Sequence, residues 1–487
     1  MAQGNRLTRF VYDRSPAFVR DWAITRFSSR RGKAKFGPRY HEALTDLART
    51  QWYTPERAAE LQAEKLRKLV HYAVAHVPYY RDLFRQLDLR PDAIDGPADL
   101  RRLPVIEKAD VRAHQDALRS DVLRNAPGLE RLPTSGTSGH PLEIAIDPDC
   151  LQIEKAFTWL HRGWGGVHLG DLTAAFAGFL VAPVGQRRPP FWVHDRSENR
   201  VIYSVQHLSR SHLPAYADSL RHLAPVMIYG YPTAIYLVAM YLNEQGIGAV
   251  RPRAVFTNSE TLMPHQRAEI ERAFGCRVFD WYGATELVAN IVQCEHGSYH
   301  VKPEYGVVEV LRRDGSPAAP GEAGDLVGTG LNNLAMPLLR YRVGDSVVPR
   351  AGTCPCGRNG ALVEGIVGRV EDVVVTPDGR WLTRLDHVFK GLYAVEEAQL
   401  VQETTEELRV RIVRRPGYGD GDEAAVLHNL RERLGDEIRI RFEYLDRIPR
   451  TSSGKFRYVV SKVRLDAADA RQAGEIVGIT GEEERTL

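Results

Sequence analysis

A short segment of the chain concentrates hydroxyl groups and glycines, the residue types that can surround a phosphate. Residues 134–141 read Thr-Ser-Gly-Thr-Ser-Gly-His-Pro. Glycine lets the backbone turn tightly and approach a ligand closely, and successive amide and hydroxyl groups form a concave donor surface for phosphate oxygens. No Gly-Lys-Ser/Thr follows, which excludes a Walker loop. The segment alone also fits an ordinary turn, so its meaning depends on the rest of the chain.

Three later segments offer the other groups that a nucleotide requires. Residues 280–286, Asp-Trp-Tyr-Gly-Ala-Thr-Glu, end a predicted strand and supply an aromatic face for a purine, a hydroxyl for a phosphoryl group and a carboxylate for Mg²⁺. Residues 340–345, Arg-Tyr-Arg-Val-Gly-Asp, end on a carboxylate suited to ribose hydroxyls, and residues 448–455, Ile-Pro-Arg-Thr-Ser-Ser-Gly-Lys, present one lysine on a polar loop. Each also fits a surface turn; their joint occurrence in this order indicates a shared function.

Together these motifs resemble those of the adenylate-forming superfamily of acyl-CoA synthetases, peptide-synthetase adenylation domains and luciferases. Within it the chain is most similar to the phenylacetate–CoA ligase branch, including capsule-biosynthesis-type members. Residues 68–81 and 99–105 resemble the N-terminal region of that branch, and the likeness covers roughly residues 55–462. The resemblance implies ATP-dependent, AMP-forming activation of a carboxylic acid to an acyl-adenylate, followed by transfer to CoA.

The resemblance also implies a role for each motif residue. It places the β- and γ-phosphates at the loop, Mg²⁺ at Glu286, the ribose at Asp345 and the α-phosphate at Thr285. It makes Lys455 the bridge between the substrate carboxylate and the α-phosphate, with Arg369 at ribose or phosphate. The full nucleotide-binding set is Thr134, Ser135, Gly136, Thr137, Ser138, Gly139, Ser259, Glu260, Trp281, Tyr282, Gly283 and Asp345; the catalytic set is Lys455, Thr285, Glu286 and Arg369. The match at Ser259 and Glu260 is partial.

Two positions differ from the usual family pattern. Leu142 stands where many relatives carry a lysine after the loop's proline, and His140, the basic residue before that proline, is only partly charged at neutral pH. Phosphate binding from this side of the loop is therefore expected to be weaker. Glu371 occupies the hinge position, which is more often Asp; the C-terminal domain is expected to rotate about it so that Lys455 leaves and a thiol enters.

A second group of residues has the chemistry of a metal site. Cys294 is followed by His300, and Cys354 and Cys356 form a Cys-x-Cys pair. Three thiolates and one imidazole match a closed, tetrahedral structural Zn²⁺ site. The alternative is a set of buried thiols and surface histidines without metal. His296 competes with His300 as the fourth ligand; the resemblance favours His300, because zinc-carrying members of this branch have a similar Cys-x₅-His spacing.

The elements that must position these residues alternate between strand and helix. From about 170 to 285 this alternation predicts βαβ units and a mixed or parallel sheet covered by helices. We therefore predict an α/β multidomain fold. Its N-terminal domain, residues 1–369, has a helical start at about 1–125, with helices at 54–85 and 107–125, and a β-rich subdomain at about 300–368. A small, mobile α+β lid domain follows at 370–487.

Composition narrows the remaining possibilities. The 487-residue chain has a net charge of +3, which argues against nucleic-acid partners. It contains no apolar run near 18 residues and no secretion signal, so we expect a cytoplasmic protein without a spanning helix, as a monomer or homodimer. Residues 1–40 hold ten Lys/Arg against two Asp. That basic segment fits either a solvated helical face or a docking surface for a membrane or partner.

Three functions follow from the sequence. The first is an acyl-CoA ligase using ATP, Mg²⁺ and CoA. The second is an adenylating enzyme that passes its acyl group to an amine, a carrier protein or another non-CoA nucleophile. The third is a noncatalytic, metal-stabilised binding protein. Residues 230–233 and 281–282 are expected to border the acid, and their aromatic rings favour an aryl or flat apolar acid; the rings equally fit a role in adenine binding and packing.

Overall fold

The computed structural model describes residues 6–133, 142–183, 185–209, 211–260, 262, 264–312, 314–367, 374–378, 381–382, 385–389, 392, 394–414, 416–446, 448 and 459–463. The helices are α1 Arg6–Arg14, α2 Ala17–Lys35, α3 Pro38–Thr50, α4 Pro55–His76, α5 Pro78–Gln86, α6 Lys108–Ala113, α7 Pro148–Trp164, α8 Leu213–Leu223, α9 Pro232–Glu244, α10 Pro264–Phe274 and α11 Asp420–Leu434.

The strands are β1 Glu130–Pro133, β2 Glu143–Ile146, β3 Thr173–Ala177, β4 Trp192–Asp195, β5 Arg200–Ser204, β6 Met227–Gly230, β7 Ala254–Asn258, β8 Val278–Gly283, β9 Asn290–Gln293, β10 Tyr299–Val301, β11 Gly306–Leu311, β12 Gly324–Gly330, β13 Tyr341–Arg350, β14 Leu362–Val367, β15 Val374–Val375, β16 Trp381–Leu382, β17 Val395–Thr404, β18 Glu407–Arg414, β19 Arg439–Tyr444 and β20 Val459–Ser461. The described helices include none that is long and apolar enough to cross a membrane.

The N-terminal helices partly match the predicted spans. The pattern at 54–85 forms α4 and α5, and Pro78 starts the second helix because a proline is tolerated in a first turn. The helix predicted at 107–125 is wrong beyond Ala113. In that stretch the amide of Ser120 donates to Ala335 O at 2.9 Å and that of Asp121 donates to His76 O at 2.8 Å. Tertiary hydrogen bonds therefore replace the helical ones.

A 12-stranded sheet organises the large part of the chain, in the order β11-β12-β13-β14-β10-β9-β8-β7-β6-β3-β5-β4. Strands β5, β3, β6, β7 and β8 are parallel to one another, and the strands on both flanks are antiparallel. This confirms the predicted mixed α/β architecture. The β-rich segment at about 300–368 joins the same sheet through β10 and β9 rather than forming a sheet of its own.

Helices cover both faces of the parallel strands. Successive residues of a strand point to opposite faces, and β3 illustrates this: Ala174 and Phe176 pack with α8 and α9, whereas Ala175 packs with Tyr12 and Ile24 of α1 and α2. Burial on both faces explains why β3 reads as a continuous apolar run in the sequence rather than as an alternating one.

The C-terminal part has a separate sheet, in the order β19-β18-β17-β20, and its own apolar cluster, which includes Val410, Ile412, Val426 and Leu430. The strands β18 and β19 and the helix α11 give this part the α+β composition expected from the sequence. The proposed domain boundary near residue 370 lies outside the described residues, so the division remains a prediction.

Asp147 ties the start of α7 to a distant loop. One carboxylate oxygen accepts a hydrogen bond from Cys150 N at 2.8 Å and so caps the helix, while the other accepts from Leu334 N at 2.9 Å. The side chain is buried. Because β2 leads directly into α7, this carboxylate also fixes the position in which β2 ends.

We predict that Asp147→Ala destabilises the large domain by about 2–3 kcal/mol, since it removes a helix cap and leaves the amides of Cys150 and Leu334 without their acceptor. The measurement is the midpoint of the first thermal unfolding transition. Asp149→Ala is the matched control, because Asp149 is an exposed carboxylate in the first turn of the same helix. Equal midpoints for the two variants would contradict the bridging role of Asp147.

Candidate functional site

The carboxyl ends of four parallel strands meet at one edge of the large sheet. The strand register pairs Phe176 with Gly230, Gly230 with Thr257, and Asn258 with Trp281, so that β3, β6, β7 and β8 end side by side. In α/β sheets, ligands bind outside this edge, because the loops that leave the strands diverge there. The predicted segments 230–233, 258–260 and 281–286 all lie at this edge.

The turn from β6 into α9 depends on glycine. Gly230 has φ +144°, and a Cβ built on it would lie 1.9 Å from Phe176 O. The next amide, Tyr231 N, donates to the same carbonyl at 2.8 Å. The backbone of β6 therefore packs directly against β3, and α9 begins immediately at Pro232. A substituted residue at Gly230 would separate the two strands at the edge of the site.

Glu260 connects the end of β7 to the start of α9. Its Oε2 accepts a hydrogen bond from Thr233 N at 3.2 Å, which places a carboxylate at the positive end of a helix dipole. Ser259, just before it, has φ +70°, a left-handed conformation that turns the chain sharply after the strand. Glu260 thus lies beside residues 230–233, the segment expected to border the acid.

The two aromatic residues that end β8 face opposite sides of the sheet. The ring of Trp281 lies 5.6 Å from the ring of His161 and packs with the cluster that contains Tyr305. Tyr282 faces the other way, and its hydroxyl donates to Asp345 Oδ2 at 2.8 Å. Trp281 is thus seen in a packing role, and its nucleotide contact remains a prediction.

A second tyrosine–carboxylate hydrogen bond lies next to the first. Tyr341, fully buried at the start of β13, donates its hydroxyl to Glu286 Oε1 at 3.0 Å. The segment 282–286 therefore offers a tyrosine and then a carboxylate, and the segment 341–345 offers the same pair in the same order. The two hydrogen bonds cross-connect the segments and hold both carboxylates in place. Thr285, half-buried, precedes Glu286.

Tyr341 was not singled out from the sequence, although it lies within the quoted 340–345 segment. The only signal for it was its position four residues before Asp345, which matches the spacing from Tyr282 to Glu286. A second missed residue is Asp280. It accepts from Thr257 Oγ1 at 2.6 Å and from the Tyr299 hydroxyl at 2.9 Å, and burial raises its pKa. These bonds fix β8 to β7 and brace the strand ends.

Several predicted site residues fall outside the described part of the chain: Thr134, Ser135, Gly136, Thr137, Ser138, Gly139, Arg369, Glu371 and Lys455. The flanks of the phosphate loop are described. Strands β1 and β2 form an antiparallel hairpin with Pro133 paired to Glu143, so residues 134–142 connect its two strands. Leu142 is completely buried in the main core. Its apolar side chain packs in that core and brings no positive charge to this end of the loop.

The structure brings together the four residues predicted to bind a metal. One donor atom from each of Cys294, His300, Cys354 and Cys356 lies within 4.8 Å of the others. The Cys294 and Cys354 sulfurs are 3.6 Å apart, and Cys356 Sγ is 3.4 Å from His300 Nε2. Tetrahedral zinc with ordinary bond lengths requires about 3.8 Å between two sulfurs and about 3.6 Å between sulfur and nitrogen. The donor set and its spacing therefore fit Zn²⁺.

The histidine is oriented for metal binding. His300 Nδ1 lies 3.1 Å from Asn359 O, and since a carbonyl only accepts, Nδ1 carries the proton and Nε2 presents its lone pair to the cysteines. Burial lowers the pKa of His300 to about 4, which keeps the ring neutral at pH 7. His296, the competing ligand, is exposed and is not among the four clustered residues.

The metal cluster and the strand-end site lie at opposite ends of β9. This strand runs antiparallel to β8, with Asn290 paired to Gly283 at the site end. Cys294 follows four residues later, a separation of about 13 Å along an extended chain. The Cys354–Cys356 loop packs instead on the end of α3, where Asn359 Nδ2 donates to Thr50 O at 2.7 Å. A metal at the cluster would hold loops together without contacting the site.

Comparisons with known proteins agree with this arrangement. Residues 374–462 match the family described as the CapK C-terminal domain. The chain is 24% identical to Protein CapK of Staphylococcus aureus over 469 residues, covering 94% of this chain and 100% of that one. It is also 24% identical to the phenylacetate-coenzyme A ligase of Thermus thermophilus over 454 residues, covering 83% and 96% of the two chains.

A solved structure shares the fold. The 2-hydroxyisobutyryl-CoA ligase crystallised with 2-HIB-AMP and CoA superposes with a TM-score of 0.57 at 20% identity, covering 87% of this chain and 94% of that one. The matched length, the separate C-terminal domain and the strand-end motifs point to one conclusion. The chain belongs to the adenylate-forming superfamily, in the branch that contains CapK and the phenylacetate–coenzyme A ligases.

Proposed function

We propose that the chain is an ATP-dependent, AMP-forming ligase that activates a carboxylic acid and transfers the acyl group to CoA. The observation that carries this proposal is the pair of carboxylates, Glu286 and Asp345, held by the hydroxyls of Tyr341 and Tyr282 at the carboxyl ends of the parallel strands. Two fixed carboxylates at that edge suit a bound divalent cation and a diol, which are the Mg²⁺ and ribose of a nucleotide.

The proposed reaction has two steps. A carboxylate oxygen of the acid attacks the α-phosphorus of ATP, the bond to the β-phosphate breaks, and pyrophosphate leaves. The thiol sulfur of CoA then attacks the acyl carbon, and AMP leaves with the electrons of the broken carbon–oxygen bond. Negative charge gathers on the α-phosphate and on pyrophosphate in the first step, so the protein's task is to position and neutralise it.

Each described site residue has a proposed part in this sequence. Asp345 accepts hydrogen bonds from the ribose hydroxyls, and Thr285 contacts the α-phosphate. Glu286 holds Mg²⁺, which supplies positive charge to the phosphate oxygens. The tyrosines keep these carboxylates from moving toward solvent before ATP binds, so less ordering is required when it does.

The remaining parts are proposed from the family resemblance. Residues 134–139 surround the β- and γ-phosphates, Arg369 binds ribose or phosphate, and Lys455 joins the substrate carboxylate to the α-phosphate. Rotation at Glu371 then moves Lys455 away and admits the thiol. The C-terminal domain contacts the large domain through the ion pair of Arg187 with Glu437, at 3.2 Å, in which both side chains are exposed. Such pairs contribute little stability, which suits a domain that moves.

The acceptor is proposed from the relatives. Those named phenylacetate-coenzyme A ligases occur in Thermus thermophilus and Escherichia coli. CapK, whose name states no acceptor, matches the chain over its full length. That match keeps a second candidate: an adenylating enzyme that passes its acyl group to an amine, a carrier protein or another nucleophile.

The acid is proposed to lie beside the start of α9. Tyr231 is buried there. Its hydroxyl lies only 2.6 Å from the position that a Cβ on Gly178 would take, so this side chain packs closely against the residue that follows β3. An aromatic wall of this kind suits a flat, apolar acid such as an aryl acid. The carboxylate of Glu260 lies next to this wall and disfavours a second negative charge on the acid.

We also propose that Cys294, His300, Cys354 and Cys356 bind one structural Zn²⁺. Burial raises the pKa of the Cys294 thiol to about 12. A buried thiolate therefore requires a cation next to it, and zinc provides that charge. The four ligands come from the β9–β10 hairpin and from the loop before β14, so the metal would fasten two segments that are distant in sequence.

Lys455→Ala is predicted to reduce acid-dependent pyrophosphate exchange by about 100-fold or more, because the lysine neutralises charge that develops only in the adenylation step. The assay is exchange across a panel of aryl, amino and fatty acids. Lys462→Ala is the matched control: Lys462 is an exposed lysine of the same domain, paired with Glu403 at 2.9 Å. Near wild-type exchange in Lys455→Ala would refute the assignment.

The same panel decides the acceptor. With the best acid, ATP and CoA, the proposal expects an acyl-CoA thioester together with AMP. If the adenylate forms but reacts only with amines or carrier proteins, the second candidate function replaces the CoA ligase. No exchange with any acid, together with no binding of ATP, would restore the noncatalytic binding protein.

Tyr341→Phe is predicted to weaken the use of MgATP by about tenfold, the value of one hydrogen bond to a charged group. The effect should show as a raised Mg²⁺ requirement, because the lost hydroxyl orients the proposed Mg²⁺ ligand Glu286. Tyr72→Phe is the control, since its hydroxyl bonds to Ser120 Oγ at 2.7 Å, away from the strand ends. An unchanged Mg²⁺ dependence in Tyr341→Phe would contradict the positioning role.

Metal analysis of the purified protein is expected to give about one zinc per chain. Cys354→Ser should lower zinc affinity more than about 100-fold and lower the thermal midpoint, because the loop loses its attachment to the hairpin. Cys276→Ser, which changes a cysteine outside the cluster, should retain zinc. Full zinc occupancy in Cys354→Ser would exclude this cysteine as a ligand.

A further inference from the structure

The first two helices expose an unusual number of large apolar side chains. Phe10, Val11, Phe18, Trp22 and Phe27 have 52%, 57%, 72%, 67% and 40% of their surface exposed. Isolated exposed apolar residues are common, but a group of three phenylalanines, a tryptophan and a valine within 18 residues usually marks an interaction surface. We call the outward face of α1 and α2, residues 10–30, the aromatic–basic face.

The opposite side of these helices is firmly attached to the large domain. Tyr12 donates its hydroxyl to Val181 O at 3.0 Å, and Ile24 is buried against the sheet. Asp21 accepts a hydrogen bond from His194 N on the edge strand β4 at 2.8 Å, and Thr25 Oγ1 accepts one from Arg196 N at 3.1 Å. The helices are therefore held in one orientation, in which the exposed rings face away from this domain's core.

The outward face of α2 changes from apolar to basic along one line. Phe18, Trp22, Arg26 and Arg30 follow at four-residue spacing, all are exposed, and so they lie on the same side of the helix. This line is about 18 Å long at the helical rise. On α1, the guanidinium of Arg14 lies 3.6 Å from the centre of the Phe10 ring. Each of the two helices thus exposes aromatic rings next to arginines.

The face has a strong positive charge. Residues 6–35 contain nine Lys/Arg and only two acids, Asp13 and Asp21. Asp21 is turned toward β4, and Asp13 is half-buried. Three of the cations are directed elsewhere: Arg20 bonds to Gln186, Arg31 to Glu130 and Lys35 to Glu198. The exposed Arg14, Arg26 and Arg30 still give the face a positive potential that attracts an anionic surface.

We propose that the aromatic–basic face docks the chain onto the surface of a membrane that contains anionic lipids. A helix that lies flat in the interface inserts aromatic and aliphatic side chains about 5–10 Å deep and keeps its Arg and Lys at the headgroups. Trp and Phe beside Arg are the residues expected at that depth. The docking is peripheral and does not depend on the proposed ligase activity.

A second copy of the chain is the less suitable occupant. In a symmetric dimer the same patch faces itself, and Arg14, Arg26 and Arg30 of one copy would meet those of the other. Like charges brought together in an interface cost free energy. An anionic bilayer carries the opposite charge at its headgroups and has a deformable apolar interior. It can therefore bind the arginines and the aromatic rings of the face at the same time.

Co-sedimentation with lipid vesicles tests the proposal. The full chain should bind vesicles of phosphatidylglycerol and phosphatidylcholine, should bind pure phosphatidylcholine vesicles much less, and should be released as salt screens the arginines. Phe18→Ser combined with Trp22→Ser should abolish binding. Arg26→Gln combined with Arg30→Gln should weaken it by about fivefold for each charge removed.

The controls change the same residue types outside the face. Val122→Ser removes a 59% exposed apolar side chain, and Arg90→Gln combined with Arg101→Gln removes two exposed charges; both should bind vesicles as the wild type does. Circular dichroism and thermal midpoints establish that the face variants are folded.

Two results would overturn the proposal. One is binding that does not differ between anionic and neutral vesicles or between wild type and the face variants. The other is light scattering that finds a dimer of the wild type without lipid and a monomer of Phe18→Ser/Trp22→Ser, which would make the face a subunit interface.

Discussion

The parallel register of β3, β6, β7 and β8 is the constraint on which the rest of the structure depends. Because these strands end in line, their loops open onto one edge, and residues more than a hundred positions apart, such as Phe176 and Trp281, come to lie along the same edge. The register is itself fixed by close backbone packing at Gly230, where no side chain fits. The buried contacts of Asp280 with Thr257 and Tyr299 then connect β8 to β7 and, across β9, to β10.

The chain reverses direction at β9, so the strand-end site and the cysteine–histidine cluster lie at opposite ends of this strand. At the strand-end edge, tyrosine hydroxyls orient carboxylates that remain within reach of a ligand. At the other end, cysteine and histidine atoms face one another in a buried group, and the neighbouring ion pair of Lys302 with Glu304 is almost completely buried. A buried pair of this kind tolerates little movement, because losing one partner leaves an uncompensated charge.

Much of the fold was readable from the sequence, for physical reasons. Strand–helix alternation over 170–285 is a local pattern, so it predicted the mixed α/β sheet, and the spacing of Leu66, Leu69, Val70 and Ala73 predicted α4. The helix expected at 107–125 was wrong because Ser120 and Asp121 form hydrogen bonds to distant carbonyls, which local propensity does not encode.

The sequence indicated which residues form the candidate site, but not the hydrogen bonds that join them. Glu286 and Asp345 were chosen for their charge, whereas Tyr341 was missed because a buried tyrosine at the start of a strand resembles any core aromatic. The clustering of Cys294, His300, Cys354 and Cys356 was predicted in advance because Cys-x-Cys and Cys-x₅-His spacings limit the possible geometries. The family resemblance favoured His300 over His296, and the structure places His300 in the buried cluster and leaves His296 exposed.

The placement of residues 231–233, which are proposed to border the acid, has an evolutionary consequence. Residues 231–233 form the junction from β6 into α9, and the backbone just before them is held by the close approach of Gly230 to β3. Buried changes of similar size at these positions therefore leave the Gly230 contact, the paired carboxylates and the distant cysteine group in place. Under the proposed function, descendants of one ancestral chain can in this way change their specificity for the carboxylic acid while keeping the same nucleotide chemistry.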